Sequence, residues 1–340
     1  MVSCLFDLAI IVMPRNLTLA VTRSTLECHV SLVAACWDLQ RRTIPMTKLK
    51  LFLPLFCTLL LLSSCDPVSA PEDTISDSYL HGRAAWSPDG KTIAFSSMVS
   101  GQEGIYVTDT LGTNVRQILK GDGVGVNWSP DGKWIAFAKA GSIFRMSPNG
   151  DSLKQLTDAV GAIRPSWSTD GSKIAFVERD ASGYISLWVY DVAKDTSSLI
   201  ISRGDYPSWL PTTGEIVVLD GQYDPYSGYV AYAFIAIDPL TTNLRFITSF
   251  SAAANCAFSS VSPKSTEIVY GVLPSNDYSE IYKYSISSNS HSKITSDGGD
   301  YPAWSPDGSR IVYTRTQQGD GGLWIMNADG NGKRRLTKAQ

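Results

Sequence analysis

Histidine and cysteine are scarce in this chain. Of 340 residues only three are histidine and six cysteine, and five of the cysteines fall within the first 65. Beyond residue 65 the single thiol, Cys256, has no partner for an intramolecular disulfide. Its neighbours in residues 252 to 257 are mostly alanine, which predicts a buried, unreactive cysteine. His81 and His291 stand far apart, and the sequence has no His-x-His, Cys-x-x-Cys or His-Glu-x-x-His spacing. No metal and no cofactor is therefore predicted. A Gly-x-Ser-x-Gly elbow is missing too, so no catalytic constellation can be assembled from sequence. Residues 66 to 340 carry 23 basic and 29 acidic side chains, a net charge of −6, and this argues against a nucleic-acid partner. The one basic run, Lys333-Arg334-Arg335, reads as a solvated strand edge. A sustained helical period is absent after residue 80.

What the chain does have is a repeat. Residues 128 to 137 read Trp-Ser-Pro-Asp-Gly-Lys-Trp-Ile-Ala-Phe, and near copies start at Trp86, Trp167 and Trp304. Weaker copies start at Trp209 and Val261, where the Asp-Gly step is lost. Ser-Pro-Asp-Gly suits a type I turn: Pro presets φ, Ser and Asp bond the local backbone, and Gly takes the left-handed conformation that follows. Asp89, Asp131, Asp170 and Asp307 are thus turn residues, with no need of a calcium ion. Seven positions after each Trp (or Val261) comes an isoleucine, namely Ile93, Ile135, Ile174, Ile216, Ile268 and Ile311. The copies lie 42, 39, 42, 52 and 43 residues apart, the span of a four-stranded propeller blade. Each is followed by two further β-rich segments divided by polar turns. An all-β, six-bladed β-propeller of four-stranded antiparallel blades is predicted over residues 80–340. The recurrent tryptophans are expected to pack between blades. Each unit ends on its own outer strand, so the ring closes without strand exchange unless residues 70 to 80 supply one.

The segment ahead of the repeats differs in kind. Residues 46 to 50 make a short basic start, residues 51 to 62 an uncharged apolar run, and Leu62-Ser63-Ser64-Cys65 follows. That is the build of a secretory signal. Its last four residues resemble the lipobox of bacterial lipoproteins, which implies lipidation at Cys65. Residues 46–65 are accordingly expected to be a lipoprotein signal peptide, residues 66–79 a flexible tether, and residues 1–45 an unstructured overextended gene start. The expected location is the cell envelope, lipid-anchored and facing the periplasm.

Function should lie where the copies disagree. Three residues before each Trp position stand Arg83, Gly125, Arg164, Tyr206, Phe258 and Tyr301, on the strand nearest the central channel. Asp205 and Asp300 precede two of these tyrosines. Arg, Tyr and Asp at a channel mouth suit a peptide or an extended polar ligand, although inter-blade packing explains the same residues equally well. The long fourth unit adds Tyr223, Tyr226, Tyr229 and Tyr232 within residues 220 to 232. They form either an adaptable contact loop, with Tyr223 and Tyr226 accessible, or an extended hairpin packed on its own blade.

Trp-Ser-Pro-Asp-Gly-Lys-x-Ile-Ala-Phe, with Leu-Trp-Ile-Met-Asn-Ala-Asp-Gly and Arg-Arg-Leu-Thr near the end, resembles the repeats of TolB-like propellers over residues 80 to 338. Similar blades occur in TolB, in the propellers of prolyl-oligopeptidase-like peptidases and in lipoproteins. The resemblance thus implies the fold more firmly than an activity. The expectation is a non-enzymatic, monomeric, membrane-tethered module that binds an envelope protein or peptide. A polysaccharide- or peptide-processing enzyme with its site in the channel is the alternative.

Overall fold

The computed structural model describes residues 83–98, 101–223, 230–252, 255–273, 278–315 and 321–337. The expected gene-start extension, signal peptide, Cys65 and tether lie outside the described residues, as does Tyr226. Among the described residues all regular structure is β, in six four-stranded antiparallel sheets. Each sheet takes four consecutive strands in order, so among the described residues no strand is exchanged between the first and last blades; residues 70 to 80 lie outside them. The first strands of neighbouring blades touch all the way round, blade six against blade one included. These are the inner strands: Ala84–Trp86, Val124–Trp128, Ala162–Trp167, Asp205–Trp209, Asn255–Val261 and Asp300–Trp304.

The turn chemistry repeats as the sequence predicts. In blade two Ser129 Oγ donates to Asp131 Oδ1 at 2.6 Å and accepts from the Trp134 amide at 2.9 Å, while Gly132 N donates to Ser129 O at 3.0 Å. Equivalent bonds recur around Ser87, Ser168 and Ser305. The serine hydroxyl holds each aspartate below the ordinary carboxylate range, Asp307 at about 2. Where the Asp-Gly step is lost in blade five, Ser265 itself takes a positive φ of 55°. Ser129 is buried, so Ser129→Ala strands an amide and is expected to cost about 1–2 kcal/mol, measured by denaturant unfolding.

All six repeat isoleucines are fully buried, and the five repeat tryptophans are nearly so. They pack between blades, as expected. Trp209 Nε1 donates to Ser166 O of blade three at 2.9 Å. Inner strands of adjacent blades share no ladder, and side chains one position before the Trp position satisfy some of their amides. Asn127 Oδ1 accepts from Trp167 N at 2.7 Å, and Ser208 Oγ from Val261 N at 3.2 Å.

Packing and side-chain bonds close the ring. Ala84, Trp86, Ile93 and Phe95 of blade one form one apolar cluster with Val312, Leu323, Ile325 and Leu336 of blade six. Trp86 Nε1 donates to Ala303 O at 3.3 Å, and the Arg310 guanidinium lies 4.9 Å from the Trp86 ring centre. Arg334 reaches Thr110 O at 2.8 Å and Leu111 O at 3.3 Å. Arg334 of the basic run stays exposed, as a solvated edge should, and adds these bonds across the seam. Gly112 fits there because it lacks a Cβ, which would fall 2.1 Å from Leu336 O.

Candidate functional site

In blades two to six the inner strand slips register at one place. Residues 125 and 126 together oppose a single residue of the next strand, as do 164 and 165, 206 and 207, 258 and 259, and 301 and 302. The first residue of four of these bulges is left-handed: Gly125 at φ 68°, Arg164 at 58°, Tyr206 at 53° and Tyr301 at 52°. That conformation suits glycine and costs roughly 1–2 kcal/mol for other residues. Three of the four nevertheless carry large functional side chains. A proline follows each of those three, at 165, 207 and 302, where the bulge relieves it of a ladder bond. The strained positions coincide with the variable ring found in the sequence, and bulges of this kind re-aim side chains.

Four of the predicted residues meet. Arg164 Nη2 donates to Tyr206 Oη at 3.1 Å, its Nη1 lies 3.0 Å from Asp205 Oδ1, and its guanidinium carbon sits 4.2 Å from the Tyr206 ring centre. The Arg164 and Asp205 side chains retain only 19% and 14% exposure. Asp205 Oδ1 also accepts from the Tyr206 amide at 2.7 Å. Burial pushes the Tyr206 phenol up to about 12; Arg164 pulls it down, and the Asp205 and Asp300 carboxylates push it further up. Arg83 is the fourth member. Burial, reinforced by the Arg164 charge, lowers its guanidinium to about 10, against a smaller opposing pull from Tyr206 and Asp205.

Asp300 reaches this cluster only through its effect on Tyr206. It is 8% exposed and takes bonds from the Tyr301 amide at 2.9 Å and Ser279 Oγ at 3.2 Å. No cation among the described residues pairs with it, and burial raises its carboxyl to about 7. Ser279 carried no signal in the sequence, since it lies in blade five and meets Asp300 only after folding.

The tyrosine insertion is an extended hairpin in its backbone. Strands Ile216–Tyr223 and Val230–Ile237 pair throughout, up to Tyr223 opposite Val230. Asp205 pairs with Leu219, so the hairpin continues four residues past the inner strand at the end where the Arg–Tyr cluster lies. The Tyr223 side chain falls outside the described residues, whereas Tyr232 is buried and stacks on Phe250 at 5.9 Å. A cavity of about 660 Å³ opens at the turn end between blades three and four, beside Asp170, Lys173, Trp209, Glu215 and Arg245. Its main charges are already matched: Arg245 Nε donates to Glu215 Oε1 at 3.1 Å, and Lys173 Nζ to Asp191 Oδ2 at 3.1 Å. The channel cluster, with left-handed backbone and a cation that has no ion-pair partner among the described residues, is the better candidate.

The TolB beta propeller domain matches residues 70–224 of this sequence, a span that covers blades one to three and the start of blade four. The chain is a six-bladed β-propeller whose first half matches the TolB propeller domain. Solved structures agree on the fold. TolB from Acinetobacter baumannii is 19% identical, with a TM-score of 0.58 over 74% of this chain, and the match spans 62% of the length of that protein. A TolB candidate from Agrobacterium tumefaciens is 18% identical, with a TM-score of 0.56 over 66% of this chain and 84% of its own. Oligogalacturonate lyase from Vibrio parahaemolyticus is 12% identical, with a TM-score of 0.50 over 73% of this chain and 90% of its own. Identities this low establish a shared propeller and leave activity open. Comparison with curated proteins gives no match.

Proposed function

We propose that this TolB-like propeller is a periplasm-facing module, tethered to a membrane through Cys65, that binds an envelope protein or peptide across the channel mouth of one face. The observation that carries the reading is the placement of Arg164, Tyr206 and Tyr301 on left-handed bulge residues of three inner strands. A propeller that needed these positions only for packing could hold glycine there, as blade two does at Gly125. Tyrosine and arginine are the residues that anchor protein contacts most often. The Tyr223 hairpin rises at the same end and supplies a second contact element.

The test is capture from solubilised envelope with the full chain in detergent, beside a variant carrying Arg164→Ala, Tyr206→Ala and Tyr301→Ala. A protein held by the wild type and lost from the folded variant is the expected result. Equal capture by both would remove the channel mouth from the binding surface. Turnover of oligosaccharide or peptide libraries, abolished by Arg164→Ala, would replace the binding module with an enzyme.

A further inference from the structure

Arg83 has no ion-pair partner among the described residues. It stands just ahead of the inner strand of blade one, and its Nη1 is completely buried with no hydrogen-bond partner among the described residues. The acid nearest to the cluster, Asp205, is engaged by Arg164 at 3.0 Å. Asp300 is not among the charges that act on Arg83, whereas Arg164 is, and repels it. A guanidinium held at about 10 is still charged at neutral pH. The side chain as a whole is half-buried, yet native proteins seldom leave even one guanidinium nitrogen buried and unmatched, because its desolvation goes uncompensated.

Blade two, which lies between these two arginines in the ring, presents Gly125 at the equivalent position. A Cβ there would meet the Arg164 backbone and Pro165 Cδ at 3.7 Å, ordinary contact. The missing side chain is thus not forced by a clash; it leaves room beside Arg164. One unmatched positive charge, with a planar fork of donors, is suited to a planar monoanion. A phosphate dianion would bring excess negative charge up against Asp205.

We infer that the channel seats a carboxylate between Arg83 and Arg164, beside Gly125, and that a peptide supplies it from an acidic side chain or a free C-terminus. The peptide source rests on the binding-module reading above; the carboxylate seat does not. Arg83 is then an anion receptor, kept at the expense of stability until the ligand arrives.

Calorimetric titration of the full chain in detergent tests this with acetyl-Ala-Ala-Glu-amide, acetyl-Ala-Ala-Ala with a free C-terminus, acetyl-Ala-Ala-Gln-amide and digalacturonate. At least one of the two acidic peptides should bind and the glutamine peptide should not. Arg83→Gln should weaken that binding by about thirtyfold, and Arg83→Lys, which keeps charge but not the fork, by less. Unliganded Arg83→Gln should melt no lower than the wild type, because it removes a half-buried charge whose inner nitrogen is unmatched; an arginine with a purely structural role would lower the melting temperature. Equal binding of the glutamine and acidic peptides, no binding of any probe, or affinity unchanged by Arg83→Gln would overturn the carboxylate seat. Digalacturonate bound while both acidic peptides fail would keep the seat and overturn the peptide source. Partner capture that survives Arg83→Gln, without carboxylate affinity, sinks the seat and spares the module; carboxylate affinity without partner capture does the reverse.

Discussion

Trp86→Ala is expected to destabilise the propeller by about 3–5 kcal/mol, the range for deleting a buried aromatic side chain. The indole is 6% exposed, donates to Ala303 O in blade six and lies beneath the Arg310 guanidinium. Trp128 occupies the same repeat position with 8% exposure, between blades that the chain connects directly. Trp128→Ala should therefore cost a similar amount, but with a different pattern of opening. In native-state hydrogen exchange, Trp86→Ala should speed exchange in the inner strands of blades one and six together, since among the described residues no shared strand holds that seam. Indistinguishable exchange maps for the two variants would mean that the seam is as firmly joined as any other inter-blade contact.

Asp300→Asn should raise stability at neutral pH. The carboxyl titrates near 7 in the fold against about 3.9 in an unfolded chain. Below about pH 4 both states hold the proton and Asp300 contributes nothing. Between about 4 and 7 only the folded state does, so stability falls as pH rises through this window and the loss is complete above it. Three pH units correspond to an upper bound of about 4 kcal/mol. Asparagine can still accept from the Tyr301 amide, and its Nδ2 can donate to Ser279 Oγ, so the bonding survives without the charge. Chemical unfolding of both proteins at pH 4.5 and pH 8, values chosen about the window, should show the variant gaining most at the higher pH. An equal offset at both would assign the effect to packing.

Much of this fold was legible because the repeat sets both turn and core. Ser-Pro-Asp-Gly dictates a tight turn from local bonding alone, and strand alternation places an isoleucine seven residues on into the core of every blade. The ring of Arg83, Gly125, Arg164, Tyr206, Phe258 and Tyr301 was legible as well, as the place where copies diverge. Its left-handed backbone was not, because a bulge is a fact of pairing between strands and leaves no composition signal at Arg164 or Tyr206. Nor could the sequence show that Asp205 is claimed by Arg164 while Asp300 is left with Ser279 and a backbone amide. Both are next to a Tyr-Pro pair, and only the neighbouring blade tells them apart. Arg334 is exposed on the last outer strand, as the basic run suggested, but its carbonyl partners in blade one lie more than 220 residues earlier and left no mark in the sequence.

The self-contained blades have a consequence for how such a chain can change. In a ring locked by a shared strand, adding or deleting one unit forces the lock to be rebuilt. Here every blade of the described residues is made of four consecutive strands, so an in-frame duplication of one inner unit of about 42 residues adds complete hairpins and disturbs no strand pair among them. Ring size is then set by wedge angle and seam packing, and each added blade would bring one more variable residue to the channel wall.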